Sequence, residues 1–313
     1  MDIAVIGSNM VDLITYIDRM PKEGETLEAP SFELGCGGKG ANQAVAAAKL
    51  GSKVMMVTKV GDDLFGSNTI QNLQKYGINT EFTSKVPGIP SGVAPIFVDP
   101  ESKNRILIVK GANQNLLPMD INNATARLKE CSLIVLQLEI PLPTIYRAID
   151  FGNEHNIPII LNPAPASREL DFDYICKCDF FMPNETELEI LTGMPVDTEE
   201  HIRDAAAFLI GKGVKNVIVT MGNRGVLWAT KDNVHRVEAH SVDAIDTTGA
   251  GDAFIGCFSH YYVKDKDILS AIKMATGFAG LSVTKRGTQI SYPSKDELIQ
   301  FVKEKESSLF KGC

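Results

Sequence analysis

The sequence predicts a three-layer α/β/α fold, in which a mainly parallel β-sheet lies between two layers of helices. Short apolar runs of strand length alternate along the chain with longer segments of helical character. Glycine directly follows three of the helical segments, at Gly51, Gly77 and Gly213, where helices commonly end. Apolar strands separated by helices form parallel sheets, and their right-handed crossovers place helices on both faces.

The first two strand–helix pairs illustrate this pattern. Apolar residues at Ile3–Gly7 indicate a buried strand, and the alanine-rich segment Lys39–Leu50 indicates a helix. Lys53–Thr58 is predicted to be the second strand, followed by a helix at Ser67–Tyr76. Further strands are predicted at Leu133–Gln137, Ile157–Leu161, Phe180–Met182 and Val217–Thr220. Further helices are predicted at Leu142–His155, Glu185–Leu191 and Glu199–Lys212.

Two stretches, residues 12–34 and 92–110, do not follow this alternation of strands and helices. Strand-like alternations without helices occur in them at Leu13–Ile17, Gly92–Val98 and Arg105–Val109. Pro100–Asn104 is predicted to form a hairpin turn. We predict a small extra sheet of about four strands. Because such a sheet cannot bury both of its faces, we expect it to cover a cleft, to pack on another subunit, or to do both.

Composition bounds the class of protein. The 313 residues predict one large domain over residues 1–313. The formal net charge of −8 argues against nucleic acid as the main partner. Neither a signal peptide nor an apolar stretch long enough for a membrane span is evident, which predicts a cytoplasmic protein. None of the six cysteines forms a CxxC pair, so we expect reduced thiols. The tail Glu304–Cys313 is expected to fray.

The most informative motif is Asp246–Asp252, which reads Asp-Thr-Thr-Gly-Ala-Gly-Asp. Glycine and alanine allow a sharp turn whose N–H groups point one way and form a nest for an anion. The apolar run after Asp252 is expected to open a helix, whose N-terminus also favours negative charge. An anion site beside a carboxylate suits transfer of a phosphoryl group to a hydroxyl, with Asp252 taking the proton. Such turns are also common as plain strand-to-helix loops, so this motif alone does not decide the function.

A second glycine cluster spans Gly35–Gln43. It contains G-x-G-x-x-G, but it does not directly follow the first strand, as a dinucleotide-binding fingerprint does. The phosphate-binding P-loop pattern also fails, because Lys39 is followed by Gly40 instead of serine or threonine. Lys39 and Asn42 stand at i and i+3 of a predicted helix, hence on one face, where they are placed to bind a polyol. A capped helix with a solvated lysine is the alternative.

Together, the two glycine motifs resemble the signatures of the ribokinase (PfkB) family of carbohydrate kinases. The first signature matches Gly37–Ala44, and the second matches Asp246–Phe254. Shorter matches are spread over nearly the whole chain, at Gly7-Ser8 with Asp12, Gln137–Glu139, Asn162–Ala166, Pro183–Glu187 and Thr220–Gly225. The resemblance implies an α/β/α domain with a β lid, ATP and Mg²⁺ as co-substrates, an activating monovalent cation such as K⁺, and a homodimer joined through the lids.

The resemblance also implies a role for each residue that matches a family position. Asp252 is the general base, and Gly249, Ala250 and Gly251 form the anion hole. The sugar site consists of Ser8, Asn9, Met10, Asp12, Gly38, Lys39, Asn42 and Glu139, with Asp252. The nucleotide and magnesium site consists of Asn184, Glu187, Thr220, Met221, Gly222, Asn223, Arg224, Gly225 and Thr276, with Gly251 and Asp252. The monovalent cation is held by oxygens of Asp246, Thr248, Ser282, Lys285, Gly287 and Ser291.

Met10 departs from the usual family pattern, which has an asparagine two residues before the aspartate that matches Asp12. In the family, that asparagine faces the ribose hydroxyls around C2. A thioether is a poor hydrogen-bond partner and suits a carbon that bears no hydroxyl. We therefore predict phosphorylation of the 5-hydroxyl of 2-deoxyribose. The alternatives are a kinase acting mainly on D-ribose, a nucleoside or hexose kinase of the same family, and a non-catalytic sugar-binding protein.

Overall fold

Two β-sheets and eleven α-helices make up the structure, a computed structural model that describes residues 1–101 and 104–309. The nine strands of the larger sheet are β1 Ile3–Ile6, β4 Val54–Gly61, β5 Asn79–Val86, β8 Leu133–Gln137, β9 Ile159–Asn162, β10 Phe180–Phe181, β11 Val217–Thr220, β12 Val226–Ala229 and β13 Val234–Val237. The four strands of the smaller sheet are β2 Met10–Tyr16, β3 Ser31–Gly37, β6 Gly92–Val98 and β7 Asn104–Ile106.

Most of the helices lie between strands of the larger sheet, and the last three follow its final strand. Their bounds are α1 Lys39–Lys49, α2 Leu64–Lys75, α3 Pro118–Asn123, α4 Thr125–Leu128, α5 Leu142–Glu154, α6 Phe172–Ile175, α7 Glu185–Thr192, α8 Glu199–Gly211, α9 Ala250–Asp265, α10 Ile268–Ser282 and α11 Lys295–Leu309. Short 3₁₀ turns lie at Gly111–Asn115 and Gly222–Arg224. Within the described ranges, no helix combines the length and the apolar character needed to cross a membrane.

The larger sheet has the order β13-β12-β11-β10-β9-β8-β1-β4-β5. Its strands from β11 to β5 are parallel, and β12 and β13 add an antiparallel edge. Alternate residues of β1 face opposite sides, so Ile3 and Val5 join one buried cluster while Ala4 and Ile6 join the other. Helices α3, α5, α7 and α8 cover one face, and α1, α2, α9 and α10 cover the other. The predicted three-layer architecture is therefore confirmed.

The predicted strands and helices of the larger sheet are all present, with ends shifted by a few residues. The edge strands β5 and β13 were not predicted, because half-exposed edge strands lack the continuous apolar run of a central strand. Strand β12, which lies between β11 and β13, was also missed, although its Val-Leu-Trp-Ala run is apolar and largely buried. The prediction of a frayed tail from Glu304 is wrong as far as Leu309, which ends α11. Residues 310–313 lie outside the described residues.

The smaller sheet, called the lid below, has the order β3-β2-β6-β7. Strand β2 pairs with β3 in antiparallel fashion and with β6 in parallel fashion, and β7 continues beyond β6. The predicted hairpin turn at Pro100–Asn104 falls partly outside the described residues. The predicted strand at Arg105–Val109 is shorter than expected, because only Asn104–Ile106 pairs continuously, and Val109 adds one isolated bridge to Val93. Strand β2 starts just beyond the carboxyl end of β1, so the lid rises from the sheet edge where ligands of α/β proteins bind.

A substitution at Gly256 tests the close approach of α9 to α1. A Cβ at this position would overlap that of Ala46 and lie 2.6 Å from the backbone oxygen of Gln43. Gly256→Ala is therefore expected to lower the free energy of unfolding by about 1–3 kcal/mol, measured by urea denaturation. Gly211→Ala is the matched control, because a Cβ there meets open space and alanine gains up to about 1 kcal/mol in a helix. Equal shifts for the two variants would show that the interhelical contact is not tight.

Candidate active site

The polar residues singled out by the sequence lie together at the carboxyl edge of the larger sheet, beneath the lid. Four segments that directly follow parallel strands meet there: Ser8 after β1, Glu139 after β8, Asn162 at the end of β9 and Thr220 at the end of β11. The N-termini of α1 and α9 enter from the face covered by those helices. This convergence makes the edge the candidate active site.

Glycines allow α1 to start against the turn between β1 and β2. A Cβ on Gly40 would lie 2.7 Å from both the nitrogen and the oxygen of the Ser8 backbone. Gly38, which precedes the helix, has a φ of 88°, a conformation that L side chains rarely adopt. This close approach places Lys39 and Asn42 in the first turn of the helix, directly beside the end of β1.

Asp252 lies in the first turn of α9 and is buried. Its Oδ2 accepts a hydrogen bond from Asn42 Nδ2 at 3.0 Å, and its Oδ1 accepts one from Gln43 Nε2 at 2.9 Å. The Gln43 amide is oriented in turn, because its Oε1 accepts from Gln137 Nε2 at 2.6 Å and its Nε2 also donates to Asn162 Oδ1 at 3.3 Å. A network of amides therefore holds the carboxylate in one orientation.

The predicted anion nest forms the start of α9. Gly249 is its N-cap with a φ of 76°, and its carbonyl accepts a hydrogen bond from the Tyr292 hydroxyl at 3.2 Å. The N–H groups of the first turn of a helix have no intrahelical acceptor, so they are available to an anion. Ala250 N–H makes a long hydrogen bond of 3.3 Å to the Thr247 carbonyl. Gly249, Ala250, Gly251 and Asp252 line one cavity of about 150 Å³ together with Lys39.

Lys39 lies among four carboxylates. Burial acts to lower its pKa, but the negative charges of Asp252, Glu139, Glu187 and Asp12 more than offset this and raise the pKa above its ordinary value. The side chain is therefore an ammonium ion at neutral pH. It supplies the positive charge that both the carboxylates and an incoming anion require.

Asp12 is the most perturbed carboxyl group of the site. Burial, followed by the charge of Glu139, raises its pKa to about 7, although a hydrogen bond from the Thr288 hydroxyl opposes the shift. That hydroxyl donates to Asp12 Oδ2 at 3.4 Å. Gly37 faces this carboxylate from the neighbouring strand, and a Cβ there would overlap it. Position 37, which lies diagonal to Asp12 on β3, is therefore restricted to glycine.

Ser8 and Asn9 are placed differently from a simple sugar contact. The Ser8 hydroxyl donates to Glu139 Oε2, which also accepts from Lys39 N–H at 2.9 Å, so Ser8 orients Glu139. Burial raises the pKa of Glu139, and these donors together with the Lys39 charge act against the rise. The backbone of Asn9 is bound by Asn113, while both atoms of its own amide are buried without a hydrogen-bond partner among the described residues.

Met10 begins β2 and is 1% exposed. It stands two residues before Asp12, so the two side chains share one face of the lid strand. Its neighbours across the sheet are Gly37 on β3 and Gly92 on β6. The thioether is thus buried at the root of the lid on the side that carries Asp12.

A larger cavity of about 820 Å³ adjoins the anion nest and is large enough for a nucleotide. The nucleotide residues expected from the sequence that line it are Asn184, Thr220, Gly222, Asn223, Gly225, Gly251 and Thr276. The Met221 side chain instead belongs to the buried core, and Arg224 forms an ion pair with Glu185. The larger and smaller cavities share Asn184, Thr220 and Gly251, so a phosphate chain in the former would reach Asp252.

Asn184 and Glu187 form the capping box of α7. Asn184 Oδ1 accepts from Glu187 N–H at 2.8 Å, and the Glu187 carboxylate accepts from Asn184 N–H and Nδ2 at 2.9 and 3.0 Å. Burial raises the pKa of Glu187. Among the described residues there is no cluster of three or more acidic, histidine or cysteine residues at metal-binding distances. A single carboxylate fits Mg²⁺, which is commonly bound by one or two carboxylates and by substrate phosphates.

The residues expected to bind a monovalent cation lie on neighbouring segments that Asp246 joins. Its Oδ1 accepts from Thr248 N–H and its Oδ2 accepts from Gly287 N–H, both at 2.9 Å. Ser282 ends α10, and Ser291 lies beyond Gly287; both serines are buried. Asp246 thus links the loop before α9 to the loop after α10, and carboxylate and carbonyl oxygens are the ligands that hard cations prefer.

Sequence reasoning missed several polar residues of the site: Gln43, Gln137, Asn162, Thr288 and Gln289. Gln289 Nε2 donates to Asn42 Oδ1 at 2.9 Å and so fixes which end of that amide faces Asp252. Gln43 lies within the second glycine cluster, directly after Asn42, and this position was the signal in the sequence that Gln43 belongs to the site. Gln137 and Asn162 end buried strands, where a polar residue at the carboxyl end is a signal for a site.

The chain is similar to known carbohydrate kinases over nearly its full length. The family model described as pfkB family carbohydrate kinase matches residues 1–295. A deoxyribokinase from Salmonella typhi is 65% identical over 302 residues, covering 96% of this chain and 99% of that protein. A ribokinase from Mus musculus is 38% identical over 300 residues, covering 95% of this chain and 93% of that protein.

Solved structures give the same result. A ribokinase from Arabidopsis thaliana, complexed with ribose and ATP, has a TM-score of 0.89 and 30% identity, covering 96% of this chain and 98% of that one. A ribokinase from Thermotoga maritima has a TM-score of 0.87 and 36% identity, covering 96% and 99%. The expected resemblance is therefore confirmed over nearly the full length.

Asp12→Asn tests the raised pKa of Asp12. Because the pKa is higher in the folded state than the ordinary value of 3.8, ionisation disfavours folding, and the cost grows as pH rises from about 4 to about 7. At pH 8 the variant is expected to have a free energy of unfolding on the order of 2–4 kcal/mol higher than that of the wild type, and therefore a higher melting temperature. This advantage is expected to disappear near pH 4. Melting curves across this range measure the effect. The exposed Asp232→Asn is the control, and a gain independent of pH would contradict the assignment.

Proposed function

Since the chain belongs to the pfkB family of carbohydrate kinases, we propose that it transfers the γ-phosphoryl group of ATP to the 5-hydroxyl of 2-deoxyribose. The observation that carries this proposal is the arrangement around Asp252. A buried carboxylate lies in the first turn of α9, next to the N–H groups of Gly249–Gly251 and the Lys39 ammonium. This geometry combines a base with an anion site, as phosphoryl transfer to an alcohol requires.

In the proposed reaction, the sugar lies under the lid with its 5-hydroxyl at Asp252. The carboxylate takes the hydroxyl proton while the hydroxyl oxygen bonds to the γ-phosphorus, and the bond from that phosphorus to the β–γ bridging oxygen breaks, releasing ADP. The N–H groups at the start of α9 and the Lys39 ammonium stabilise the charge on the transferred group. Asn42 and Gln43 hold Asp252 in place, so little reorganisation is needed when the proton moves.

Mg²⁺ bound with ATP would supply charge neutralisation at the phosphates, and Glu187 with Asn184 is placed to hold it. We assign the monovalent cation, K⁺, to the oxygens of Asp246, Thr248, Ser282, Lys285, Gly287 and Ser291. Asp246 supports this assignment, since it ties the loop before α9 to the loop after α10. A cation there would hold the anion nest in its conformation electrostatically.

Met10 supports 2-deoxyribose as the preferred sugar. The thioether is buried on the face of β2 that carries Asp12, where a hydrogen-bonding side chain would be needed to recognise a further hydroxyl. The related protein at 65% identity is a deoxyribokinase. An apolar contact rejects an added hydroxyl by only about 10²-fold, so D-ribose is expected to remain a poorer substrate.

The outer part of the lid supports a homodimer. Phe32 and Leu34 on β3 are 56% and 60% exposed, and Leu107, which follows β7, is 63% exposed. Large apolar side chains grouped on one small sheet are typical of a surface covered by another protein. We take the partner to be the lid of a second copy, since the lid needs cover on its second face.

The five free cysteines of the described residues agree with a reducing, cytoplasmic location.

A substrate panel with matched variants tests the proposed reaction. The wild type is expected to show a higher kcat/KM for 2-deoxyribose than for D-ribose in a coupled ADP-release assay, and Met10→Asn is expected to shift the ratio toward ribose by about tenfold or more. Asp252→Ala is the control, with kcat reduced by about 10²–10⁴-fold. Near-normal turnover of Asp252→Ala would exclude it as the base. A wild-type preference for ribose, or an unchanged ratio in Met10→Asn, would overturn the role of Met10.

Leu34→Asp tests the proposed dimer. A charge on the exposed apolar face of β3 is expected to dissociate the dimer, because the carboxylate would be buried in the interface without a partner. Analytical ultracentrifugation measures the oligomeric state. Leu64→Asp is the control, since Leu64 is 88% exposed at the start of α2, outside the lid. A wild type that is monomeric, or a Leu34→Asp variant that remains dimeric, would exclude this interface.

A further inference from the structure

The backbone segments that join the lid to the larger sheet meet around one buried side chain, that of Asn113. The chain enters the lid after Asn9 and after Ser91, and it leaves the lid after Gly37 and again before Lys110. Asn113 lies in the 3₁₀ turn that follows Lys110 and is 0% exposed. We call Asn9, Gly92, Lys110 and Asn113 the lid root.

Asn113 binds two of these segments through its amide. Its Oδ1 accepts from Asn9 N–H at 2.9 Å, and its Nδ2 donates to the Asn9 carbonyl at 3.1 Å. The same Nδ2 donates to the Lys110 carbonyl at 2.9 Å. The amide thus binds Asn9 as a neighbouring strand would, at the residue before β2 begins, and both of its N–H bonds are used.

The other two segments are packed against the same point. A Cβ on Gly92 would overlap Asn113 Nδ2 and lie 3.0 Å from Met10 Cγ. A Cβ on Gly38 would lie 2.9 Å from the Met10 backbone nitrogen. Displacement of the Asn113 amide therefore cannot be absorbed locally, because the backbone around Met10 has no free space on either side.

The lid root is also hydrogen-bonded to the sugar site through Lys110. Lys110 Nζ donates to the Leu138 carbonyl at 3.2 Å, and Leu138 directly precedes Glu139. Asn113 and Lys110 therefore connect the residue before Met10 with the residue before Glu139. A shift at the lid root moves two groups of the sugar site relative to each other.

We propose that Asn113 is a positioning residue that sets where Met10 and Asp12 stand over the sugar, and thereby contributes to the choice between 2-deoxyribose and ribose. It acts through the backbone of Asn9 and does not contact the substrate. The proposal rests on the proposed sugar kinase function. A residue of merely structural importance would change stability while leaving the ratio of the two sugars unchanged.

Asn113→Asp is the most informative variant. It is nearly isosteric and keeps an acceptor for Asn9 N–H, but it loses both donors and brings a carboxylate against the carbonyls of Asn9 and Lys110. We expect KM for 2-deoxyribose to rise by about tenfold and the ratio of kcat/KM between the two sugars to change by about threefold or more, since two hydrogen bonds are lost. KM for ATP is expected to stay within about twofold.

Asn216→Ala is the matched control. The Asn216 amide donates to the Asp179 carbonyl and accepts from Trp228 Nε1, within the larger sheet and away from the lid. Its loss is expected to lower the melting temperature without changing the sugar ratio. Unchanged sugar KM and ratio in a folded Asn113→Asp variant would overturn the proposal, as would equal changes in Asn216→Ala.

Gly92→Ala is the second variant if Asn113→Asp does not fold, because the added methyl would overlap the Asn113 amide and also lie 3.0 Å from Met10 Cγ. It is expected to reproduce the change in KM and in the sugar ratio. Hydrogen exchange of the β2 amides provides a readout that needs no sugar. Faster exchange in the Asn113 or Gly92 variants than in Asn216→Ala supports the lid root, and equal exchange contradicts it. A wild type that phosphorylates neither sugar would instead contradict the proposed function.

Discussion

The site depends on one ammonium group that offsets the mutual repulsion of four buried or partly buried carboxylates. Asp12, Glu139, Glu187 and Asp252 come from distant parts of the chain, and burial raises the pKa of the first three. Lys39 places a positive charge among them, and its backbone N–H binds Glu139 as well. The lid strand, the end of β8 and the starts of α7 and α9 can therefore meet at one point without requiring every carboxylate to be neutral.

The close packing of glycines makes this arrangement possible. Lys39 reaches the centre of the site because α1 starts directly against the Ser8 backbone, which only Gly40 allows. Asp252 reaches its amide partners because α9 contacts α1 at Gly256. Both contacts bring the backbones closer than side chains would permit. The dense packing on either side of each contact stabilises this close approach. The glycine clusters of the sequence are thus as important for bringing segments together as for binding phosphate.

Much of the fold and the centre of the site could be predicted from the sequence. The buried strands have continuous apolar runs, and the roles of Asp252 and the turn before it follow from local chemistry. The amide network of Gln43, Gln137 and Asn162 could not be predicted, because these residues are distant in sequence and only the parallel order of β1, β8 and β9 brings them together. Ser8 was expected at the sugar, but its hydroxyl binds Glu139, a partner 131 residues away. Partners at this separation depend on topology, which local patterns do not encode.

Met10 has glycine as its neighbour on both adjacent strands, Gly37 and Gly92. Most residues of a sheet are constrained by the side chains opposite them, so a change of size or polarity requires compensating changes nearby. At position 10 there is no side chain across either strand to compensate. Under the proposed role of Met10, one replacement at this position would alter the sugar preference while the lid keeps its backbone, and a single ancestral scaffold could then give rise to enzymes for related pentoses.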